Sequence, residues 1–426
     1  MADLGFHDGA SVTAVYLHTF GCKANQYDTE VVRQALETAG VAVVDDPLLA
    51  DAAVVNSCTV THTGEAKMRR LVRRLARMRP GVRTVVMGCA AALDDGAIAA
   101  LPGVERVVPG ADPTAVLAAL GVPDVPMKRI LRTFARGSRA WLKIQDGCDE
   151  HCTFCATVLA RGTNRSRPAS EILEEARALA ATTDEIVLTG VHIGSYGRDR
   201  GGSLGELVEL LVNSVPGLRF RLSSVEATEV DDRLAELMIG APDRLAPHLH
   251  APLQSGSDRL LRRMGRHWYT AAGYVERIER LAARMSAFGL GADIIVGFPG
   301  ETADDHRATR DVLTDLPFTY AHVFPYSERP DAAARRLGPP VPAAVASARS
   351  AELRALVAEK AASYTARRSG EPGDVVLLGR RAGCFEGLTG DYLTVRLSTA
   401  AGALPSRFTG LLRGNDNGLT VEWSGH

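Results

Sequence analysis

A chain of 426 residues with a formal net charge of −1 is long enough for two or three domains and carries no global charge to draw it to a polyanion. Its 46% hydrophobic content, 41 glycines and 21 prolines suit a loop-rich α/β protein and exclude a disordered one. No apolar run reaches the ~18 residues of a membrane span, and the start, MADLGFHDGASV, lacks a basic segment followed by an apolar one, so the chain is expected in the cytoplasm, with no membrane partner.

Residues 11–120 alternate strands and helices. AVYLHTF, AAVVNS and TVVMG read as strands, and TEVVRQALETAG reads as a helix stopped by its glycine. That alternation implies a parallel sheet with helices on its faces. In the helix EAKMRRLVRRLARMRP, Met68, Leu71, Val72, Leu75 and Met78 recur at helical spacing and are expected to face the core. Arg69, Arg70, Arg73, Arg74 and Arg77 fall on the opposite side, which reads either as an RNA-phosphate surface or as an ordinary solvated face. Residues 121–139, rich in proline, glycine and arginine, read as a linker.

From 140 to 337 the strand candidates are WLKIQ, EIVLTGV, RFRLSSV, HLHAPL, ADIIVGF and AHVFPY, with helices such as SEILEEARALAA and YVERIERLAARM between them. Six such units predict a partial barrel or an open parallel sheet. GPPVPAAV breaks the pattern and opens a linker helix over 338–370. The segment 371–426, with short strands DVVLLG, DYLTVRL and GLTVEW between glycine-rich turns, reads as a small all-β module. Its Cys384 reads as a small buried side chain.

The seven cysteines, an odd number in a chain expected in a reducing compartment, favour metal ligation over disulfides. KIQDGCDEHCTFCATVLARG carries Cys148, Cys152 and Cys155 in a C-x3-C-x2-C spacing after a strand. Three thiolates on a four-iron cluster leave one iron open to a small chelating molecule, unlike the four-cysteine sites of electron carriers. Zinc is the alternative, with His151 as fourth ligand, although that residue lies between two of the thiols. Cys22 (HTFGCKANQYDTE), Cys58 (VVNSCTVTHTGEAK) and Cys89 (VVMGCAA) each follow a strand candidate by one or two residues. Parallel strands put their carboxyl ends on one edge, so these three can meet as a second trio; the alternative is three buried small side chains. Arg161, Arg165 and Arg167, just beyond the first triplet, form a second candidate RNA patch.

The triplet, with Phe154 before its last cysteine, resembles the signature of the radical S-adenosylmethionine superfamily. The phrases HTFGCKANQYDTE, NSCTVTHTGEAK, DGCDEHCTFC, LTGVHIGSYG, HLHAPLQSGSDRLLRRM, DIIVGFPGET and HVFPYSERP, in this order, resemble the methylthiotransferase family over nearly the whole chain. GCKANQYDTE and GVHIGSYG look most like the MtaB-like branch, which acts on N6-threonylcarbamoyladenosine at position 37 of tRNA. Other branches act on isopentenyladenosine of tRNA or on an aspartate of a ribosomal protein.

The resemblance implies an N-terminal cluster-binding α/β domain, a central partial (β/α)6 radical barrel and a C-terminal TRAM-like β domain. It implies two [4Fe-4S] clusters, on Cys148, Cys152 and Cys155 and on Cys22, Cys58 and Cys89. The first cleaves S-adenosylmethionine to a 5′-deoxyadenosyl radical that takes hydrogen from C2 of adenine; the second supplies sulfur, and a second S-adenosylmethionine the methyl group. The two trios are then expected to face a shared cavity. The implied partners are tRNA, an electron donor and a sulfur source. For S-adenosylmethionine the resemblance points to Phe154 near the adenine, Gly190 in LTG toward the amino group, and Glu226 toward the ribose. It adds Gln254 and Ser255 after the fourth strand, and Val296 and Gly297 flanking the adenine. After Cys155 the chain reads ATVLARG where many members carry a proline, which touches the loop's shape. A rival class is an iron–sulfur RNA-binding regulator without turnover, which the radical triplet disfavours.

Overall fold

The computed structural model describes residues 12–59, 62–126, 128–134, 138–329, 332–381, 384–397, 405–415 and 418–423. The described residues divide into two compact bodies: one made of those up to 131 with 159–162, the other of those in 132–158 and from 163 onward.

The first body is built on β1 (Ala14–Thr19), α1 (Lys23–Thr38), β2 (Ala42–Val44), β3 (Ala52–Ser57), α2 (His62–Met78), β4 (Arg83–Gly88), α3 (Cys89–Ala92), β5 (Val104–Pro109) and α4 (Pro113–Leu120). Its strands form one parallel sheet in the order β2-β1-β3-β4-β5. All six residues of β3 are buried, as its alanines and valines require in a central strand covered on both faces. On one face Val15, Val54, Val85 and Met87 pack with Val32 and Leu36 of α1 and Val116 and Leu117 of α4. On the other, Val55 and Val86 pack with Met68, Val72 and Leu75 of α2. α1 closes on Ala39, and Gly40 follows at φ +79, the left-handed position that favours glycine. The chain leaves β1 toward β2 and returns to β3 on β1's other side. The order therefore reverses between β1 and β3, which opens a crevice beyond their carboxyl ends.

In the second body the strands are β6 (Arg139–Lys143), β7 (Gln145–Asp146), β8 (Arg165–Ser166), β9 (Glu185–Thr189), β10 (Arg219–Leu222), β11 (His248–His250), β12 (Gly289–Val296) and β13 (Tyr320–Pro325). The helices are α5 (Thr157–Arg161, whose last residues pack with the first body), α6 (Ala169–Ala180), α7 (Leu204–Ser214), α8 (Asp232–Gly240), α9 (Asp258–Arg263), α10 (Ala271–Ala282), α11 (Ala303–Asp315) and α12 (Ala343–Arg368). Two parallel sheets, β10-β9-β6 and β11-β12-β13, meet through the parallel bridges Phe220–Leu245 and Ser224–His250. Six strands thus run in chain order around a partial barrel, each of the six beginning in a candidate segment named from the sequence or one to three residues before it.

β14 (Pro372–Arg381), β15 (Cys384–Thr389), β16 (Thr394–Leu397), β17 (Arg407–Asn415) and β18 (Gly418–Glu422) close a small barrel in the order β14-β15-β16-β18-β17. Its core is Val375, Val395, Phe408, Leu412 and Val421. This module seats on the amino ends of the six-stranded barrel. Glu185, fully buried at the start of β9, accepts from Arg139, Arg219 and Arg221 at 2.6–3.0 Å. Arg219 then donates to the Asp374 carbonyl at 2.9 Å, and Arg221 to the carbonyls of Gly390 and Thr389 at 2.8 and 2.9 Å. Tyr392, at φ +71, stacks on His248 with ring centroids 4.3 Å apart. The opposite, carboxyl ends of the barrel strands remain for the cysteine loop. Cys384 corrects its expectation: it is exposed, at the first residue of β15, an edge position beyond the module's core.

Candidate functional site

The first trio of strand-end cysteines follows from the topology. β1, β3 and β4 are neighbours, and each delivers a cysteine at its carboxyl end: Cys22 as the N-cap of α1, Cys58 just past β3, and Cys89 opening α3. Gly21, at φ +106, lies so near Cys58 that a Cβ there would stand 2.9 Å from its Sγ. Gly88, at φ +97, lies against the Asn56 side chain and the Ser57 backbone. Asn25, fully buried, ties the group together. Its Nδ2 donates to the carbonyls of Phe20 and Ser57, both at 2.9 Å, and its Oδ1 lies 3.9 Å from Cys22 Sγ and 3.7 Å from Cys89 Sγ.

Arg161 completes this site. Its Nη2 donates to Asn25 Oδ1 at 2.6 Å and Asp28 Oδ2 at 2.9 Å, and its Nε lies 3.1 Å from Cys89 Sγ. Burial pushes the Cys89 thiol up to about 11; the Arg161 guanidinium opposes the rise, and Cys22 and Cys58 add to it. Three thiols at one sheet edge, backed by glycine at the two closest approaches, fit an iron–sulfur cluster. Loading exchanges thiol protons for iron, which is how a buried, protonated thiol becomes a ligand.

The loop after β6 carries the other trio. Gln145, fully buried, donates to the Gly147 carbonyl at 2.6 Å and accepts from the N–H groups of Val191 and His192 at 3.0 and 2.8 Å. It therefore ties the start of the cysteine loop to the turn after β9. Gly190 is part of this close approach: a Cβ there would stand 2.6 Å from the Gln145 carbonyl. Backbone N–H groups point at two of the sulfurs, Glu150 N at 3.4 Å from Cys148 Sγ and Thr157 N at 3.3 Å from Cys155 Sγ. Arg266 Nη1 lies 3.4 Å from Cys152 Sγ. Burial pushes Cys152 up to about 12, Arg266 opposes it, and the nearby Cys155 adds to the rise. N–H groups and a guanidinium aimed at sulfur suit thiolates bound to iron. Cys148 also lies 3.7 Å from His192 Nδ1, whose Nε2 is 2.9 Å from Glu229. Burial opposes charge on His192, but the bonds to Cys148 and Glu229 outweigh it and push the imidazole up to about 10.

The expected cofactor contacts divide. Val296 and Gly297 line a cavity of about 420 Å³ at the carboxyl ends of β12 and β13, with Pro325, Tyr326, Val341 and Ser350. Gly297, at φ +83, donates its N–H to Glu301 at 2.7 Å. Gln254 adopts φ +62, a left-handed conformation uncommon for a side-chain-bearing residue, with its backbone bonded to Asp293 and Ile295 of β12. Glu226 is buried, and its carboxylate is engaged by Arg266 and Trp268. Phe154 packs on Leu260, Met264 and Phe298, the core role open to it on residue type alone. Ser255 is a correction: its hydroxyl is spent on the Ser257 N–H at 3.1 Å and on Thr309 at 3.3 Å, which shapes the turn into α9.

The arginine patches need correction too. Arg70, Arg73, Arg74 and Arg77 are exposed on α2 as expected, but Arg69 is half-buried and bonds Glu65 at 2.8 Å and the Ala97 carbonyl at 3.1 Å. Met78 is exposed instead of facing the core, because it ends the helix beyond the sheet contacts of Met68, Val72 and Leu75. Arg165 is exposed, whereas Arg161 and Arg167 are held by Asp28 and Glu175 at 2.9 and 2.6 Å and are not offered to RNA. Asn25, Gln145, His192 and Arg266 escaped the sequence reading. Asn25 and His192 lie within the quoted motifs GCKANQYDTE and GVHIGSYG, which was the available signal.

Two family models match, one described as uncharacterized protein family UPF0004 over residues 14–110 and one as the radical SAM superfamily over residues 142–313. The threonylcarbamoyladenosine tRNA methylthiotransferase MtaB of Bacillus subtilis is 35% identical over 408 residues, 90% of each chain. This chain belongs to the methylthiotransferase family of radical S-adenosylmethionine enzymes. Another relative in the family, the tRNA-2-methylthio-N(6)-dimethylallyladenosine synthase of Acidithiobacillus ferrooxidans, is 34% identical over 416 residues, 92% of each chain. Among solved structures, the radical S-adenosylmethionine methyltransferase TsrM of Kitasatospora setae shares the fold, with TM-score 0.55 at 16% identity over 74% of this chain and 75% of that one. As a radical methylthiotransferase, the protein uses S-adenosylmethionine and [4Fe-4S] clusters as cofactors.

Proposed function

We propose that the protein adds a methylthio group to C2 of N6-threonylcarbamoyladenosine at position 37 of tRNA. The supporting observation is the two cysteine trios on separate, differently built sites within a chain that aligns to the Bacillus subtilis MtaB over 90% of both lengths. Cys148, Cys152 and Cys155 hold one cluster and Cys22, Cys58 and Cys89 the other. When bound, the clusters supply the electron that cleaves S-adenosylmethionine and the sulfur that is transferred.

The chain's own residues prepare both sites. Gln145 fixes the loop that carries Cys148, and Arg266 stands against Cys152 with Glu226 behind it. Asn25 and Arg161 brace the thiols of the first body. The cavity at Val296 and Gly297 takes the adenosine moiety, with Gly297 free of a side chain that would collide with Ala346. Arg70, Arg73, Arg74 and Arg77, with Arg165, meet the tRNA backbone. An external reductant and a sulfur donor complete the cycle, and the reaction proceeds in the cytoplasm, where tRNA is found.

The second reading is the dimethylallyladenosine nucleoside, favoured by the 34% identity to the Acidithiobacillus ferrooxidans synthase. An anaerobic reaction of reconstituted protein on two hypomodified tRNAs, one with each nucleoside, decides between them by nucleoside mass. A methylthio product on threonylcarbamoyladenosine alone is expected. Product on the dimethylallyl substrate alone reverses the assignment.

A further inference from the structure

Three neighbouring strands of the six-stranded barrel bring two imidazoles and a carboxylate to one place. β11 ends on His250, and Asp293 and His322 are direct partners in the parallel register of β12 and β13. One candidate ligand atom from each residue lies within 4.8 Å of the other two. His250 Nε2 is 3.2 Å from Asp293 Oδ1, and the His250 and His322 rings are 5.6 Å apart between centroids. His250 is oriented from behind, its Nδ1 3.1 Å from the Tyr320 hydroxyl, which is itself 2.8 Å from His248 Nε2.

We infer that His250, Asp293 and His322 form a mononuclear site for a divalent transition-metal ion of the zinc or ferrous class, separate from both cysteine trios. Two histidines and one carboxylate are a donor set suited to such ions, and three protein ligands leave positions open for water or an oxygen ligand. The Tyr320 hydroxyl supplies the outer-shell bond that commonly fixes a metal-binding imidazole through its other nitrogen. The spacing is nearly right. Metal–ligand bonds of about 2.0–2.2 Å allow ligand atoms about 3 Å apart when adjacent and a little over 4 Å when opposite. His250 and Asp293 already satisfy this, and His322, whose side chain is exposed, closes the remainder by a small rotation. Without an ion, the pair of His250 with Asp293 and the packing of the Tyr320 and Phe324 rings on His322 would hold these side chains; what favours a metal is that one ligand atom of each of the three residues lies within 4.8 Å of the other two.

The test uses untagged, cluster-loaded holoprotein equilibrated with zinc, freed of excess, and analysed for zinc and iron together. About one zinc per chain is expected in the wild type, with zinc lost from Asp293→Ala and His322→Ala. A wild type that retains no zinc, or variants that retain as much, overturns the site. A zinc-edge absorption spectrum separates this site from thiols left vacant by incomplete cluster loading, even where a variant loses iron. Nitrogen and oxygen neighbours alone, at about 2.0–2.1 Å, support the assignment, and a sulfur shell at about 2.3 Å overturns it.

Discussion

Replacing Gly88 with alanine adds one methyl group at a point that serves two of the first body's cysteines at once. Gly88 has φ +97 and ψ −161, a region almost reserved for glycine, and holding another residue there costs about 1–3 kcal/mol. The new Cβ would stand 2.2 Å from Asn56 Oδ1, 2.6 Å from the Ser57 carbonyl and 2.9 Å from the Ser57 nitrogen. Backbone at the end of a fully buried strand yields little, and such overpacking adds about 1–3 kcal/mol. A local cost of roughly 2–6 kcal/mol therefore falls on Ser57 and Gly88, the residues next to Cys58 and Cys89. The second body is untouched. The expected outcome for Gly88→Ala is a fall in iron from about eight to about four per chain, since one four-iron cluster is lost and the other retained. Production of 5′-deoxyadenosine should persist while methylthio transfer disappears. Iron and sulfide analysis with product masses from one anaerobic incubation measures both. A variant with the full iron complement and normal transfer would refute the reasoning, as would equal loss of both activities.

Other outcomes follow from the same geometry. Glu185→Gln leaves Arg139, Arg219 and Arg221 around a neutral side chain and should destabilise the second body by about 3–5 kcal/mol in denaturant unfolding. Burial alone would raise the Glu185 pKa, but Arg221, Arg219 and Arg139 hold the carboxyl well below its ordinary 4.5. Its contribution is therefore complete above that value and fades as pH falls toward the depressed one, so the gap between wild type and variant should narrow only in acid. Changing Arg70, Arg73, Arg74 and Arg77 together to glutamine should reduce the salt slope of tRNA binding by roughly 3 without altering the melting temperature, because all four are exposed. Arg161→Ala should act in the opposite way. It removes the buried partner of Asp28 and a contact to Cys89, so iron retention in the first body should drop while the salt slope stays constant. Cys152→Ala should abolish 5′-deoxyadenosine formation outright, and residual cleavage would remove it from the ligand set.

Much of the site was legible because its chemistry is local. A C-x3-C-x2-C loop states its own candidate ligands within eight residues, and each strand-end cysteine comes with the apolar run that positions it. The barrel strands were readable for the same reason, since buried parallel strands are short continuous apolar runs. What stayed hidden depended on pairing between distant segments. The helix spacing that marked Arg69 as surface also sets Glu65 one turn before it, but could not reveal the Ala97 carbonyl that helps to hold it down. Nothing near Arg161 in sequence announced Asp28 as its buried partner, and Glu175, though only eight residues beyond Arg167, lies on the next helix at no spacing that marks a pair. Cys384 failed for a related reason: a cysteine on a short strand is usually interior, but this one opens its strand beyond the small barrel's core.

By itself, the sequence determined the C-x3-C-x2-C spacing, the α/β alternation, the six barrel strands and the all-β ending, because cysteine spacing and apolar periodicity are properties of the chain alone. The tertiary structure decided the rest. The order β2-β1-β3-β4-β5 set Cys22, Cys58 and Cys89 on neighbouring strands, and burial turned Asn25, Gln145 and Arg161 into bracing groups. The Glu185 network joined the small barrel to the large one, and strand register placed His250, Asp293 and His322 within reach of a single ion. The physical reason is that charge pairing, desolvation and register act between atoms close in space, and residues 30 to 170 positions apart become close only once the chain has folded.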